Sequence, residues 1–235
     1  MTKYLSFDIE IATEPGMTRD WSEQHPFGIT CAATWASGED KPRVWCGRDY
    51  WRSISSVMIV SELSDIIDYL VDMRNKGYQV VTVNGAGFDF LEMYDNLEDP
   101  FIRDIALSHV DCFFDVFCRL GYAPGLDAMS KGMGLSGKMQ GVDGASAPVL
   151  WANGEYGRVL SYVAQDAKQT LDLAEAVEAA GQLEWIARSG KRNAIKIDKW
   201  LTVAEAMRLA EPDVSWMAIP WKRDKFVGWL SNPPH

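Results

Sequence analysis

Near the start of the chain, Asp8 and Glu10 stand two residues apart in the run Phe7-Asp8-Ile9-Glu10. On a strand, residues two apart project to the same side. Two neighbouring carboxylates are costly to bury unless something neutralises them. No Lys or Arg follows Lys3 within this run, so a hard divalent cation, which takes carboxylate oxygens, is the natural partner. Alone, D-x-E is very common and describes an exposed strand face. A third acid, Asp89, closes Asn84-Gly85-Ala86-Gly87-Phe88-Asp89. This loop follows an apolar strand, the position where open α/β sheets place their sites. Its glycines permit sharp turning and close approach of a ligand. The plainer role for Asp89 is a first-turn carboxylate favoured by the helix dipole. Finally, Tyr162 and Asp166 lie four apart in Tyr162-Val163-Ala164-Gln165-Asp166, and so share one helix face. As an isolated pair they describe ordinary helix surface.

The elements that must position these residues follow from periodicity and punctuation. Residues 3–10 alternate, with Tyr4, Ser6, Asp8 and Glu10 on one face and Leu5, Phe7 and Ile9 on the other, which is strand patterning. Residues 28–36 and 42–46 read as two further strands joined by Ser37-Gly38-Glu39-Asp40. Ser61 is positioned to cap a helix over about 62–76 with an apolar stripe at helical spacing, stopped by Gly77. Residues 78–83 form an apolar, central strand, and a helix starts near Phe88. One or two helices fill 101–121, with a short strand at 110–113. A short helix covers Gly125 to Gly134, and the Gly/Ser/Ala-rich residues 135–153 read as loop. A long helix spans 155–180, ending at Gly181. A strand pair follows at 184–189 and 192–198, then a short helix capped by Thr202. Three strands followed by helix–strand–helix units give an α/β fold, a mixed central sheet flanked by helices. The ribonuclease H-like fold has this order. The expected division is a ribonuclease H-like exonuclease domain at 1–182 and a Trp-rich, locally basic extension at 183–235 packed on it.

D-x-E on a first strand, N-x-x-x-F-D after a later strand, and Y-x-x-x-D on a late helix occur here in that order. Together they resemble the DEDD superfamily of 3′–5′ exonucleases, tyrosine subtype. Within it, the chain is similar to predicted exonucleases related to the proofreading domain of family-B DNA polymerases. Gly125-Leu126-Asp127-Ala128-Met129 and Gly134-Leu135-Ser136-Gly137-Lys138 also look like that group's segment before its last motif. The resemblance covers residues 3–180. It implies that Asp8 bridges two divalent cations, Mg²⁺ or Mn²⁺. It also implies that Glu10 and Asp166 hold the cation that binds the attacking water, and that Asp89 supports the other through water. Tyr162 would orient the nucleophilic water. Two cations about 3.5–4 Å apart supply both a nucleophile near neutral pH and stabilisation of the leaving oxygen.

Three residues are substrate-contact candidates with ordinary alternatives. Asn84 could meet the terminal sugar or phosphate, or cap its loop. Phe88 could meet the terminal base, or pack in the core. Lys138, in its Gly-rich loop, could reach a phosphate. Asp111 and Asp115 read as structural, although either could stand near the cations, and Asp127 reads as a helix-start residue. His25, His109 and His235 are scattered and carry no catalytic expectation.

The net charge of −10 argues against a nucleic-acid partner, but it is uneven. Residues 188–225 hold nine Lys+Arg and five Asp+Glu, a balance of +4, which leaves −14 for the rest. The tail residues Trp200, Trp216, Trp221, Lys222, Arg223, Lys225 and Trp229 mix rings with cations. Such residues form stacking platforms for single strands, but tryptophan is also a large core anchor. The four cysteines form no C-x-x-C and read as free thiols in a reducing compartment. With no apolar run of 18 residues and no leader before the first strand, the expectation is a cytoplasmic protein with no membrane partner. The expected function is a metal-dependent 3′–5′ exonuclease acting on single-stranded or 3′-end DNA. The alternatives are the same enzyme acting on RNA, or a ribonuclease H-like module that binds nucleic acid without cutting it.

Overall fold

The alternating first segment becomes the middle strand of a five-stranded sheet. In the computed structural model, which describes residues 2–13, 26–137 and 144–231, β1 (Tyr4–Ile11) pairs antiparallel with β2 (Ile29–Ala36). β2 pairs antiparallel with β3 (Arg43–Cys46). The chain then enters α1 (Val60–Asn75) and returns as β4 (Gln79–Thr82), parallel to β1. Helices α2 (Asp89–Leu97) and α3 (Pro100–Ser108) lead to the short β5 (Val110–Asp111), parallel to β4. Next come α4 (Cys112–Leu120), α5 (Leu126–Gly132), α6 (Ala147–Ala152) and the long α7 (Tyr156–Ala180). A separate hairpin, β6 (Gln182–Ile186) and β7 (Arg192–Lys196), precedes α8 (Val203–Ala206) and α9 (Asp224–Ser231). The sheet order is β3-β2-β1-β4-β5. This mixed sheet with helices on both faces is the expected α/β, ribonuclease H-like architecture.

Both faces of β1 are covered. Leu5, Phe7 and Ile9 pack into a cluster with Ile66, Leu70 and Phe90. On the other face, Tyr4 joins Leu171, Ala174 and Val177 of α7, while Cys31 and Ala33 of β2 meet Val159, Val163 and Ala167. Helix α7 therefore lies across the polar face of β1. Ser6 and Glu10 are buried, and Asp8 is half-buried. The exposed-face reading of D-x-E does not hold here.

Several local expectations are corrected. Strand β4 is interior, paired between β1 and β5, while β1 is the middle strand of the five. Helix α1 starts at Val60 without a Ser61 cap. Glu62 supplies the acceptor instead, taking the N–H of Ile59 and of Arg48 at 2.8 Å each. The stretch 135–153 contains α6, because Trp151 is buried and its indole N–H donates to the carbonyls of Ser55 and Ser56. Core packing of one large ring outweighs a loop-like composition. All four cysteines are free thiols. Among the described residues, no helix is long and apolar enough to cross a membrane.

Candidate active site

Asp8 and Glu10 reach from β1, Asp89 from the first residue of α2, and Tyr162 and Asp166 from α7. All five line one cavity of about 490 Å³, together with Asn84 and Phe88. Segments up to about 160 residues apart in the chain thus meet at one place. Every sequence-predicted site residue is there except Lys138, which lies outside the described residues. Glu10, Asp89, Tyr162 and Asp166 are all at most 6% exposed, so these acids are held inside the fold.

The loop that carries Asn84, Phe88 and Asp89 is fixed from below. Asn84 adopts a left-handed backbone (φ 73°), which Asn tolerates better than most residues. Asp111, at the end of β5, accepts the N–H of Asn84 at 2.8 Å and of Ala86 at 3.0 Å. The same carboxylate accepts from Phe113 and Phe114 at 3.0 and 3.1 Å, capping α4. Asp111 is therefore a loop clamp, and Asp115 is bound to Arg119 and to the N–H of Leu201. Neither acid lines the cavity. Thr82 accepts the Gly85 N–H at 3.1 Å, and its Oγ1 lies 3.0 Å from His109 Nε2. His109 Nδ1 lies 2.7 Å from the carbonyl of Ala106. A carbonyl only accepts, so Nδ1 carries the proton and Nε2 accepts from the Thr82 hydroxyl. Burial holds this imidazole neutral, with its pKa lowered to about 4. A Cβ on Gly85 would stand 2.3 Å from Thr82 Oγ1, so the loop's path requires glycine there. From above, the Trp229 indole donates to the Ala86 carbonyl at 2.8 Å.

Apart from Asp111, which read as structural, these supporting residues escape sequence reasoning. Their side chains bond to backbone far along the chain and leave no period. Glu92 is a further case. It sits one helical turn beyond Asp89, is fully buried, and accepts the N–H groups of Phe27 and Gly28. Its helix offers no signal for this, since its neighbours on that face include the polar Asp89, Asp95 and Asn96.

The electrostatics follow from burial. Asp89 accepts the Ile9 N–H at 3.0 Å. Burial nevertheless pushes its carboxyl up to about 7, with the Ile9 bond opposing and Asp111 adding to the shift. Burial also raises the Tyr162 phenol, reinforced by Asp166, Glu10 and Asp8, and its hydroxyl donates to Asp166. The phenol is therefore a protonated donor rather than a base. The donor set is all oxygen, which suits hard divalent cations. Among the described residues, no three acidic, His or Cys side chains already close into a metal-holding group. Mg²⁺ in particular uses few carboxylates and completes its shell with water and phosphate, so an open set of this kind fits it.

A second cavity, of about 440 Å³, meets the first along Asp8, Val83, Asn84 and Asp166. Its far wall is Phe113, Trp221, Lys225 and Phe226. Two of these, Trp221 and Lys225, belong to the ring-and-cation tail noted in the sequence. Arg223, from the same tail, is structural: it donates to the carbonyls of Cys118, Met207, Leu209 and Ala210. Trp200 is buried, with its indole N–H on the Ala174 carbonyl.

No protein-family model and no curated protein sequence matches this chain. Among solved structures, it is similar to the family B DNA polymerase from the hyperthermophilic archaeon Pyrobaculum calidifontis. The TM-score is 0.54 and the identity 18%, over 75% of this chain and 24% of that one. The chain thus corresponds to about a quarter of the polymerase's length, and the likeness is one of fold.

Proposed function

We propose that this chain is a metal-dependent 3′–5′ exonuclease that removes nucleotides from the 3′ ends of DNA. One observation carries it. Asp8, Glu10, Asp89, Tyr162 and Asp166, drawn from three distant segments, line a single cavity. Each has an ordinary explanation alone, but their meeting inside the fold is hard to explain as surface or capping chemistry.

In this reading Asp8, Glu10 and Asp166 would hold two divalent cations, Mg²⁺ or Mn²⁺, and Asp89 would support one of them. When bound, such a pair supplies a nucleophile near neutral pH and stabilises charge on the leaving oxygen. The residues contribute the geometry. The Tyr162 hydroxyl, protonated and bonded to Asp166, orients the attacking water without deprotonating it. Asn84, at the mouth shared by both cavities, offers its amide to the terminal sugar or phosphate. Phe88, which lines the same cavity, excludes water from the strand end. Asp89, tied to Ile9, keeps the loop and β1 in fixed register.

The test is digestion of single strands labelled at the 3′ or the 5′ end, with Mg²⁺ or Mn²⁺, in matched DNA and RNA. Progressive loss of the 3′ label from DNA is expected. Absence of digestion, or digestion that survives both EDTA and Asp8→Ala, overturns the proposal. Faster RNA turnover would reassign the substrate.

A further inference from the structure

The tail does not act as one body. Trp200 and Arg223 are consumed by the core, and Trp229 by the Ala86 carbonyl. Trp221 and Lys225 are not. Trp221 is 53% exposed, and the Lys225 ammonium rests on its ring at 4.3 Å from the centroid. Phe226 meets the Trp221 ring edge-on at 5.9 Å and anchors it through the buried cluster with Phe114 and Phe117. Both Trp221 and Lys225 face the cavity that ends on Asp8 and Asp166.

We propose that Trp221 and Lys225 form a nucleotide subsite for single-stranded nucleic acid, next to the carboxylate centre. A ring backed by a rigid aromatic partner presents a flat face at little entropic cost. Base–aromatic stacking suits any base, since every base has a π-face. The ammonium sits on a flexible four-carbon stem. It can leave the ring for a phosphate and expose the ring to the base in the same movement. The charge logic is local: this cation stands at one end of a cavity whose other end is acidic, in a tail that is basic within an acidic chain. The cavity's 440 Å³ lies within the roughly 300–1,000 Å³ range of small-ligand sites, room for one nucleotide. For the position of the scissile end this inference rests on the exonuclease reading, but its test does not.

The experiment measures binding of 5′-fluorescein-labelled dT₁₂, and of the matching RNA, to the full chain in EDTA by anisotropy across a salt series. Trp221→Ala should weaken binding about tenfold, and Trp221→Phe should restore most of it. Lys225→Gln should weaken binding a few-fold at low salt and reduce the salt slope by about 0.7. Trp216→Ala is the control, since Trp216 is exposed but packs on Tyr122 and does not line the cavity; it should change nothing. If Trp221→Ala binds within twofold of wild type, or if Trp216→Ala loses as much, the subsite is overturned. Digestion is scored separately. Wild type that binds through Trp221 but cuts nothing refutes the exonuclease and keeps the subsite. Wild type that cuts while Trp221→Ala binds normally does the reverse. If both hold, Trp221→Ala should raise KM about tenfold and leave kcat unchanged.

Discussion

The Asp89 carboxylate accepts the backbone N–H of Ile9 at 3.0 Å, and Ile9 is the residue between Asp8 and Glu10. The parallel ladder of β1 with β4 ends at Ser6 opposite Val81. Beyond it, that edge of β1 has no strand to pair with, and a side chain takes over. The bond therefore fixes how the loop after β4 sits against the acidic pair.

Asp89→Asn should keep this bond, because an amide oxygen also accepts. Exonuclease activity should fall about 10–100-fold, the usual loss for a supporting group. The carboxyl is raised from 3.8 to about 7. Between those values the folded chain holds a proton that the unfolded chain releases, so Asp89 lowers stability as pH rises through that window. In EDTA, the variant should melt above wild type at pH 8, and the gap should close toward pH 4. A gap of equal size at both pH values would refute this.

Tyr162→Phe should keep the buried ring and remove only the hydroxyl. Single-turnover cleavage should slow by about 10–100-fold, with little change in melting. An unchanged rate would reduce Tyr162 to packing.

His109 has the opposite linkage to Asp89. Its pKa drops from 6.5 to about 4, so between those values the unfolded chain takes a proton that the folded chain refuses. Its stabilising contribution is complete above pH 6.5 and is lost as pH falls toward 4. Asp89 and Asp111, the latter raised to about 6, pull the other way. The informative quantity is therefore the stability of wild type minus that of His109→Gln, measured by urea unfolding. That difference should grow with pH by up to about 3 kcal/mol; a flat difference would contradict it.

Gly85→Ala would place a methyl 2.3 Å from Thr82 Oγ1 and break the Thr82–His109 chain. A loss of about 1–3 kcal/mol is expected from overpacking. Gly125→Ala, whose Cβ would meet nothing within 4 Å, should cost far less. Equal urea midpoints for the two variants would count against the clamp.

Much of the site was legible because its acids obey short periods. Asp8 and Glu10 are two apart on a strand; Tyr162 and Asp166 are four apart on a helix. What holds them obeys no period. Asp111 was ambiguous because its partners lie 25 and 27 residues earlier. Burial of the polar face of β1 could not be read either, since it depends on where α7 lands. The tail shows the same limit most sharply. Trp200 and Trp221 are one residue type in one composition, yet one is buried and the other half exposed. Only the packing surface each meets separates them.

The Trp229 indole meets a carbonyl 143 residues earlier in the chain. During synthesis, the loop bearing Asn84 and Asp89 emerges long before that ring exists. Until then the loop would rest on Asp111 and Thr82, and the upper brace would arrive only with the last helix described. In chain order the tail is thus a late latch on that loop.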